Sequence, residues 1–209
     1  MGEVTGRPRV AVAWSRGGDR SVLESLTACL RSIGCDPAGI EVVRSCRRCG
    51  GDDHGQPRLR RRGADLPQGI SISRSAGVLA VAVSDGAPVG VDIESPENAR
   101  FDGFDQVALH PDELRPRTIR QRAIVWTRKE AYLKALGLGL DMPPDRVRAS
   151  APDGPPRILD GVPGAGDVQL ADLEVPPPLV GCVAVVSAAP PRVTCVEAAA
   201  AAPARPARP

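Results

Sequence analysis

Pro88-Val-Gly-Val-Asp-Ile-Glu94 is the stretch that decides how this chain is read. Val89, Val91 and Ile93 share one parity; Gly90, Asp92 and Glu94 share the other. Successive side chains of a β-strand point to opposite faces, so the three aliphatics turn into a core and the two carboxylates share the second face. The carboxylates then lie about 7 Å apart along the strand, close enough to converge on one hard cation. Gly90 is expected to leave room beside them for a ligand. Taken alone, Asp-x-Glu at a strand end is the pattern of a solvated face, because charged side chains are mostly exposed.

A second stretch, Trp126-Thr-Arg-Lys-Glu-Ala-Tyr-Leu-Lys-Ala135, lies in the strongest helix pattern of the chain, expected over Thr118–Leu136. Thr118 with Gln121 supplies a start signal and Gly137 a stop. Helical periodicity puts Ile119, Ala123, Trp126, Glu130 and Leu133 on one stripe. A carboxylate inside such a stripe is costly to bury unless it is paired or binds a metal. Lys134 follows Glu130 by one turn, which also fits an ordinary helix-surface ion pair worth a few tenths of a kcal/mol. Together the two stretches offer three acids from two elements as oxygen ligands for Mg2+, or for Mn2+ in its place, with an amine beside them to offset phosphate charge.

Around these stretches the pattern alternates between strands and helices. Val10–Trp14 and Ile40–Val43 read as short strands, with a helix over Ser21–Ile33 between them. Arg44 to Gln68 reads as a loop rich in Arg, Gly and Asp. Ile70–Ser73, Val78–Ser84 and Val89–Glu94 read as a strand meander, with Asp85-Gly86 turning the chain between the last two. Ser95 to Arg117 is irregular, with a helical turn near Pro111–Leu114. Arg146–Ser150, Val168–Val175 and Leu179–Ser187 read as strands. Val193–Val196 is a candidate edge strand inside a tail of mostly Ala, Pro and Arg, which is otherwise expected to be disordered. The order helix, strand, meander thus occurs twice.

Gly90-Val-Asp-Ile-Glu94, followed some 30 residues later by Trp126-x-x-Lys-Glu-Ala-x-x-Lys134, resembles the signature pair of 4'-phosphopantetheinyl transferases. The resemblance is to the larger, monomeric type similar to the surfactin-synthetase-activating enzyme, and it runs from about Arg44 to Ser187. It implies an α+β fold of two pseudo-twofold-related halves, each a helix packed on a small, mostly antiparallel sheet, here residues 1–95 and 96–188, followed by a tail over 189–209. It implies that coenzyme A is the substrate, bound between the halves, and that an acyl or peptidyl carrier protein is the partner. Asp92, Glu94 and Glu130 are carried over as Mg2+ ligands, with Glu130 and Lys134 as the catalytic pair and Lys134 also near the pyrophosphate. Trp126 is carried over as a packing residue, and Glu113 as a match to a further acidic position.

His54-Gly-Gln-Pro-Arg-Leu59 resembles the family's Gly-Lys-Pro-x-Leu segment, and Ser71-Ile-Ser-Arg-Ser-Ala-Gly77 its Ser-His-Ser segment. The resemblance places Ser73 and Arg74 at the 3'-phosphate of coenzyme A, where hydroxyl, guanidinium and turn N–H groups suit an anion. It places Gln56 at a coenzyme A contact, where the family usually carries a basic residue; Arg74 stands where the family has His. The N-terminal segment is shorter than in the family, leaving Arg16, Arg20, Arg31 and Arg44 as candidate basic contacts. These departures leave a second reading open: a weakened or inactive relative that binds coenzyme A or a carrier protein.

Cys46-Arg-Arg-Cys49 followed by His54 has the spacing of half a zinc knuckle, but no second Cys-x-x-Cys exists to complete four ligands. A reduced loop turn is the competing reading. Arg58-Leu-Arg-Arg-Arg62 is a basic run suited to an acidic partner or simply to solvent. The net charge of +2 and an aromatic content of 2% argue against nucleic-acid binding and against an anionic membrane surface. Only Lys129 and Lys134 are lysines among 27 basic residues, which suggests sites that need a compact ammonium. No leader-like or membrane-spanning apolar run is seen, so a cytoplasmic location and reduced cysteines are expected.

Overall fold

The parity of Val89, Val91 and Ile93 marks the centre of the fold. The structure, a computed structural model, describes residues 6–16, 20–46 and 49–197. In chain order it contains β1 (Arg9–Arg16), α1 (Arg20–Ser32), β2 (Ile40–Ser45), β3 (Gln56–Arg61), β4 (Ala64–Asp65), β5 (Ile70–Ser75), β6 (Val78–Ser84), β7 (Val89–Glu94), α2 (Phe104–Ala108), α3 (Ile119–Ala135), β8 (Arg148–Ala149), β9 (Ile158–Asp160), β10 (Val168–Asp172), β11 (Val180–Val186) and β12 (Arg192–Glu197).

Two sheets carry the core: a four-stranded one in the order β12-β1-β6-β5, and a three-stranded one in the order β10-β11-β7. Val10 and Val12 of β1, Val78, Ala80 and Ala82 of β6, the three aliphatics of β7, and Val183 and Val185 of β11 form one cluster, so the sheets pack against each other through these faces. The opposite parity of the first sheet, Ala11, Ala13, Leu79, Val81 and Val83, packs on Leu26, Cys29, Leu30 and Ile33 of α1. Cys182 and Ala184 of the second sheet pack on Ala131 and Ala135 of α3. The result is an α+β fold with few helices and several small, mostly antiparallel sheets, each main sheet covered by one helix.

The strands read from hydropathy are present, but their pairing differs from a meander. β5 and β6 form an antiparallel hairpin, whereas β7 leaves that sheet and pairs antiparallel with β11, Asp92 opposite Cys182. The expected boundary at residue 95 therefore does not follow the sheets, because the first half contributes its last strand to the second sheet. The stretch 44–68 is not all loop: β3 pairs with β2, Ile40 opposite Arg61 through Ser45 opposite Gln56. Its signal is weak because in Gln-Pro-Arg-Leu-Arg-Arg only Leu59 is buried. Between β7 and α3 lie a 3-10 turn at Pro96–Ala99 and α2; at the turn expected near Pro111–Leu114 the chain makes a single turn, the Glu113 N–H donating to the His110 carbonyl at 3.0 Å. The tail counted from 189 begins with structure: β12 pairs parallel with β1, Val193 opposite Val10 and Val196 opposite Ala13. Residues 198–209 and the side chain of Arg20 lie outside the described residues.

β5 meets β7 without a backbone ladder. The hydroxyls of Ser71, Ser73 and Ser75 accept from the backbone N–H groups of Val91, Ile93 and Ser95 at 3.0, 3.3 and 3.0 Å. Alternate residues of one strand thus satisfy alternate donors of the next, which would otherwise be buried without partners.

Candidate active site

α3 positions the second half of the site. Thr118 caps it by accepting from the Gln121 N–H at 3.1 Å, and Gly137, with φ at 69°, ends it. From Thr127 to Leu133 every residue is buried, so this helix runs through the interior instead of presenting one apolar stripe. Its approach to β7 depends on Gly90. A β-carbon there would lie 2.0 Å from the Ala131 carbonyl oxygen and 2.4 Å from the Ala135 nitrogen. The room expected beside Gly90 is occupied by the helix, not left for a ligand.

Three consecutive charged side chains leave α3 in different directions. Arg128 pairs with Asp172 at 2.6 Å and donates to the carbonyls of Ser150, Ala151, Pro152 and Gly154. Lys129, fully buried, donates to the carbonyls of Ala108 and Pro144 and to Glu113 at 2.6 Å, so its three N–H groups meet three acceptors. Glu113, matched above to a family acid, is thereby committed to Lys129 and to the N–H groups of His110 and Ala149, which donate to it at 2.8 and 2.5 Å. Glu130 alone of the three has no such partner: its Oε1 is buried with no hydrogen bond.

Across from it stands Asp92, 3% exposed. Its Oδ1 accepts from the Lys134 ammonium at 2.6 Å and from the Ser73 hydroxyl at 2.8 Å, while Oδ2 is buried without a partner. Burial pushes the Asp92 carboxyl up, against the pull of Lys134 and Ser73. Glu130 is pushed up to about 7, first by burial and then by Asp92 beside it, with Lys134 opposing. Glu94 is held at the end of β7, its Oε2 accepting from Ser75 at 2.9 Å and Asn98 at 2.6 Å. Among the described residues, only Cys46, Cys49 and His54 form a group of three with ligand atoms all within 4.8 Å of one another; Asp92, Glu94 and Glu130 are spread more widely. The two orphaned oxygens of Asp92 and Glu130, buried at like-charged neighbours, nevertheless fit a hard divalent cation, which would satisfy both at once.

Two cavities adjoin the cluster. One of about 480 Å3 is lined by Arg44, Cys46, His54, Gln56, Ser71 and Lys134 among others. A smaller one of about 90 Å3 is lined by Glu94, Asn98, Phe101, Phe104 and Trp126. Of the residues expected at coenzyme A, Arg44, Gln56 and Lys134 come together in the larger cavity. Ser73 and Arg74 do not line it: strand alternation puts them on opposite faces of β5, with Ser73 buried on Asp92 and Arg74 exposed. Ser71, two residues earlier, is the serine of that segment at the cavity. Asn98, which holds Glu94, lies in a stretch with no periodic signal that would mark it. Cys46 and His54 also line the cavity, a place that follows from the β2–β3 hairpin and not from the spacing of a half-knuckle.

The fold and this cluster define an α+β protein with a buried acid–ammonium centre between a strand and a helix. Residues 88–170, which carry Asp92, Glu94, Glu130 and Lys134, match the family model of the 4'-phosphopantetheinyl transferase superfamily. No curated protein matches the chain. Among the described residues no helix is long and apolar enough to cross a membrane.

Proposed function

We propose that the protein transfers the 4'-phosphopantetheine arm of coenzyme A to a serine of an acyl or peptidyl carrier protein, releasing 3',5'-ADP, in the manner of a holo-acyl-carrier-protein synthase. The observation that carries this reading is the pair of orphaned, buried carboxylate oxygens on Asp92 and Glu130, beside Lys134 at a large cavity and inside the segment similar to the transferase superfamily.

In this reading the cavity of about 480 Å3 takes coenzyme A, with Arg44 and Gln56 as polar contacts and Lys134 at the pyrophosphate. Asp92 and Glu130, with Glu94, would hold Mg2+ (or Mn2+), and the ion would supply charge neutralisation for the pyrophosphate. The carrier serine oxygen forms a bond to the β-phosphorus, and the bond from that phosphorus to the oxygen bridging to 3',5'-ADP breaks. Glu130, directly or through a water, takes the serine proton. Lys134 sits where negative charge builds on the leaving pyrophosphate oxygen. Ser73 and Gly90 act indirectly, the first by fixing the Asp92 carboxylate and the second by letting α3 approach β7. The nucleophile comes from the partner, so no serine of this chain is consumed. We further read the chain as a monomer that acts in the cytoplasm and engages neither nucleic acid nor membrane.

The test is an intact-mass assay of several acyl and peptidyl carrier proteins incubated with coenzyme A, Mg2+ and the protein. The expected result is a gain of one phosphopantetheine arm on at least one carrier, reduced about 10²–10⁴-fold by Glu130→Gln. No gain on any carrier, with the protein folded, overturns the reading.

A further inference from the structure

The cavity wall holds a second set of ligand-type side chains that the reaction does not use. We propose that Cys46, Cys49 and His54 bind one thiophilic divalent cation of the zinc class through three protein ligands, and that this metal clips the loop joining β2 and β3 into the wall of the larger cavity.

The ligand atoms already lie within 4.8 Å of one another. Cys49 Sγ and His54 Nε2 are 3.3 Å apart, close to the edge of about 3.6 Å expected for tetrahedral bonds of about 2.0–2.3 Å. The His54 ring is oriented for this: its Nδ1 faces Asp53 Oδ1 at 2.5 Å, the carboxylate–histidine arrangement that leaves Nε2 to a metal. The loop backbone serves the sulfurs as well. Gly51 N–H donates to Cys49 Sγ at 3.4 Å. Cys46 N–H donates to the Gly51 carbonyl and Gly50 N–H to the Cys46 carbonyl, both at 2.9 Å, which closes the turn around the two cysteines.

Two glycines make this closure sterically possible. A β-carbon at Gly55, where φ is 94°, would lie 2.4 Å from the Ser45 carbonyl oxygen. One at Gly51 would crowd Asp53, His54 and Cys49 at 3.2–3.3 Å. None of the six cysteines is in a disulfide.

Three protein ligands leave the fourth tetrahedral position to water or a small solute. Binding releases the two thiol protons, so affinity falls with falling pH. Cys46 and His54 line the cavity directly, and Gln56 and Pro57 follow immediately in the chain. Fixing this loop fixes one wall of the cavity. The site does not depend on the transferase reading, and its test does not measure transfer.

Reduced, chelator-treated full-length protein is titrated with Co2+. The expected result is one equivalent bound, with thiolate-to-cobalt charge-transfer absorption and the intense visible bands of tetrahedral cobalt, displaced by Zn2+. Cys49→Ser and His54→Ala are expected to bind at least 10-fold more weakly, Asp53→Asn about 10-fold more weakly, and Cys195→Ser as the wild type does. Circular dichroism checks that each variant is folded, and a rise of wild-type Tm on adding Zn2+, absent in Cys49→Ser, gives a second readout. No charge-transfer absorption in wild type, or absorption unchanged in Cys49→Ser, overturns the site; so does a Cys46–Cys49 disulfide persisting in reductant.

Discussion

The Lys134 ammonium lies 2.6 Å from Oδ1 of Asp92, with the lysine side chain 26% exposed and the aspartate 4%. This contact joins α3 to β7 electrostatically, and Lys134 lowers the carboxyl pKa of both Asp92 and Glu130. Lys134→Met removes the cation from two buried acids at once. The expected loss is about 2–4 kcal/mol at neutral pH, somewhat below a fully buried pair because the lysine is partly solvated. Urea denaturation measures it. The double variant Asp92→Asn/Lys134→Met is expected to lose less than the sum of the two single variants.

Glu130 gives a pH signature to metal-free protein. Its folded pKa of about 7 lies above the ordinary 4.5, so between these pH values the folded protein holds a proton that the unfolded chain has released. Stability from this group is complete below about 4.5 and is lost as pH rises through about 7. At ~1.4 kcal/mol per pKa unit, the slope amounts to a few kcal/mol across that window. Chemical denaturation from pH 4.5 to 8 is expected to show this slope in wild type and a shallower one in Glu130→Gln, where Asp92, also pushed up by burial, remains. Saturating Mg2+ is expected to flatten the wild-type profile.

Lys129 and Glu113 form a buried pair away from the acids that face Lys134, so their loss is structural. Glu113→Gln is expected to cost about 3–5 kcal/mol. Lys129→Arg is also expected to destabilise, because a guanidinium brings five donors and more volume to a place with three acceptors. Thermal melts of both variants, with metal and coenzyme A binding measured on the surviving folded fraction, separate this pair from the site. Binding is expected to persist where folding does.

Gly90→Ala tests the close approach of helix and strand. A β-carbon 2.0 Å from a backbone carbonyl cannot be accommodated without moving α3. A loss of about 3 kcal/mol or more is expected, beyond the ~1–3 kcal/mol usual for overpacking, because the contact is with backbone. Gly154→Ala, whose added carbon meets only the Ala151 carbonyl at 3.5 Å, is expected to change Tm little.

The sequence shows much of this arrangement because strand parity and helix capping are local. Val89, Val91 and Ile93 point inward as alternation requires, Thr118 and Gly137 bound α3, and Asp92 and Lys134 meet. What escaped is non-local. Nothing in Val89–Glu94 tells it to pair with β11 instead of β6. Leu59, a single inward residue among arginines, gives β3 no period to detect. The serines of β5 looked like anion ligands because their type suits a phosphate, yet Ser73 bonds Asp92 and the Ile93 N–H, and only a partner strand reveals that. The consecutive residues Arg128, Lys129 and Glu130 have charge as their common label; the fold alone tells which fastens a loop, which fastens a segment, and which keeps an oxygen open.

The row of hydroxyls from Ser71 to Ser75 also governs sliding between the two sheets. Hydroxyls at every second residue are matched to amides at every second residue, so displacing β5 by one position would offer Ile72 and Arg74 to those amides and strand three donors. The seam rejects a one-residue slip. The same hydroxyl of Ser73 that reads this alignment also grips Asp92, so the placement of the acid is indexed to the mating of the sheets, and slippage there would unseat the carboxylate before it disturbed the aliphatic interior.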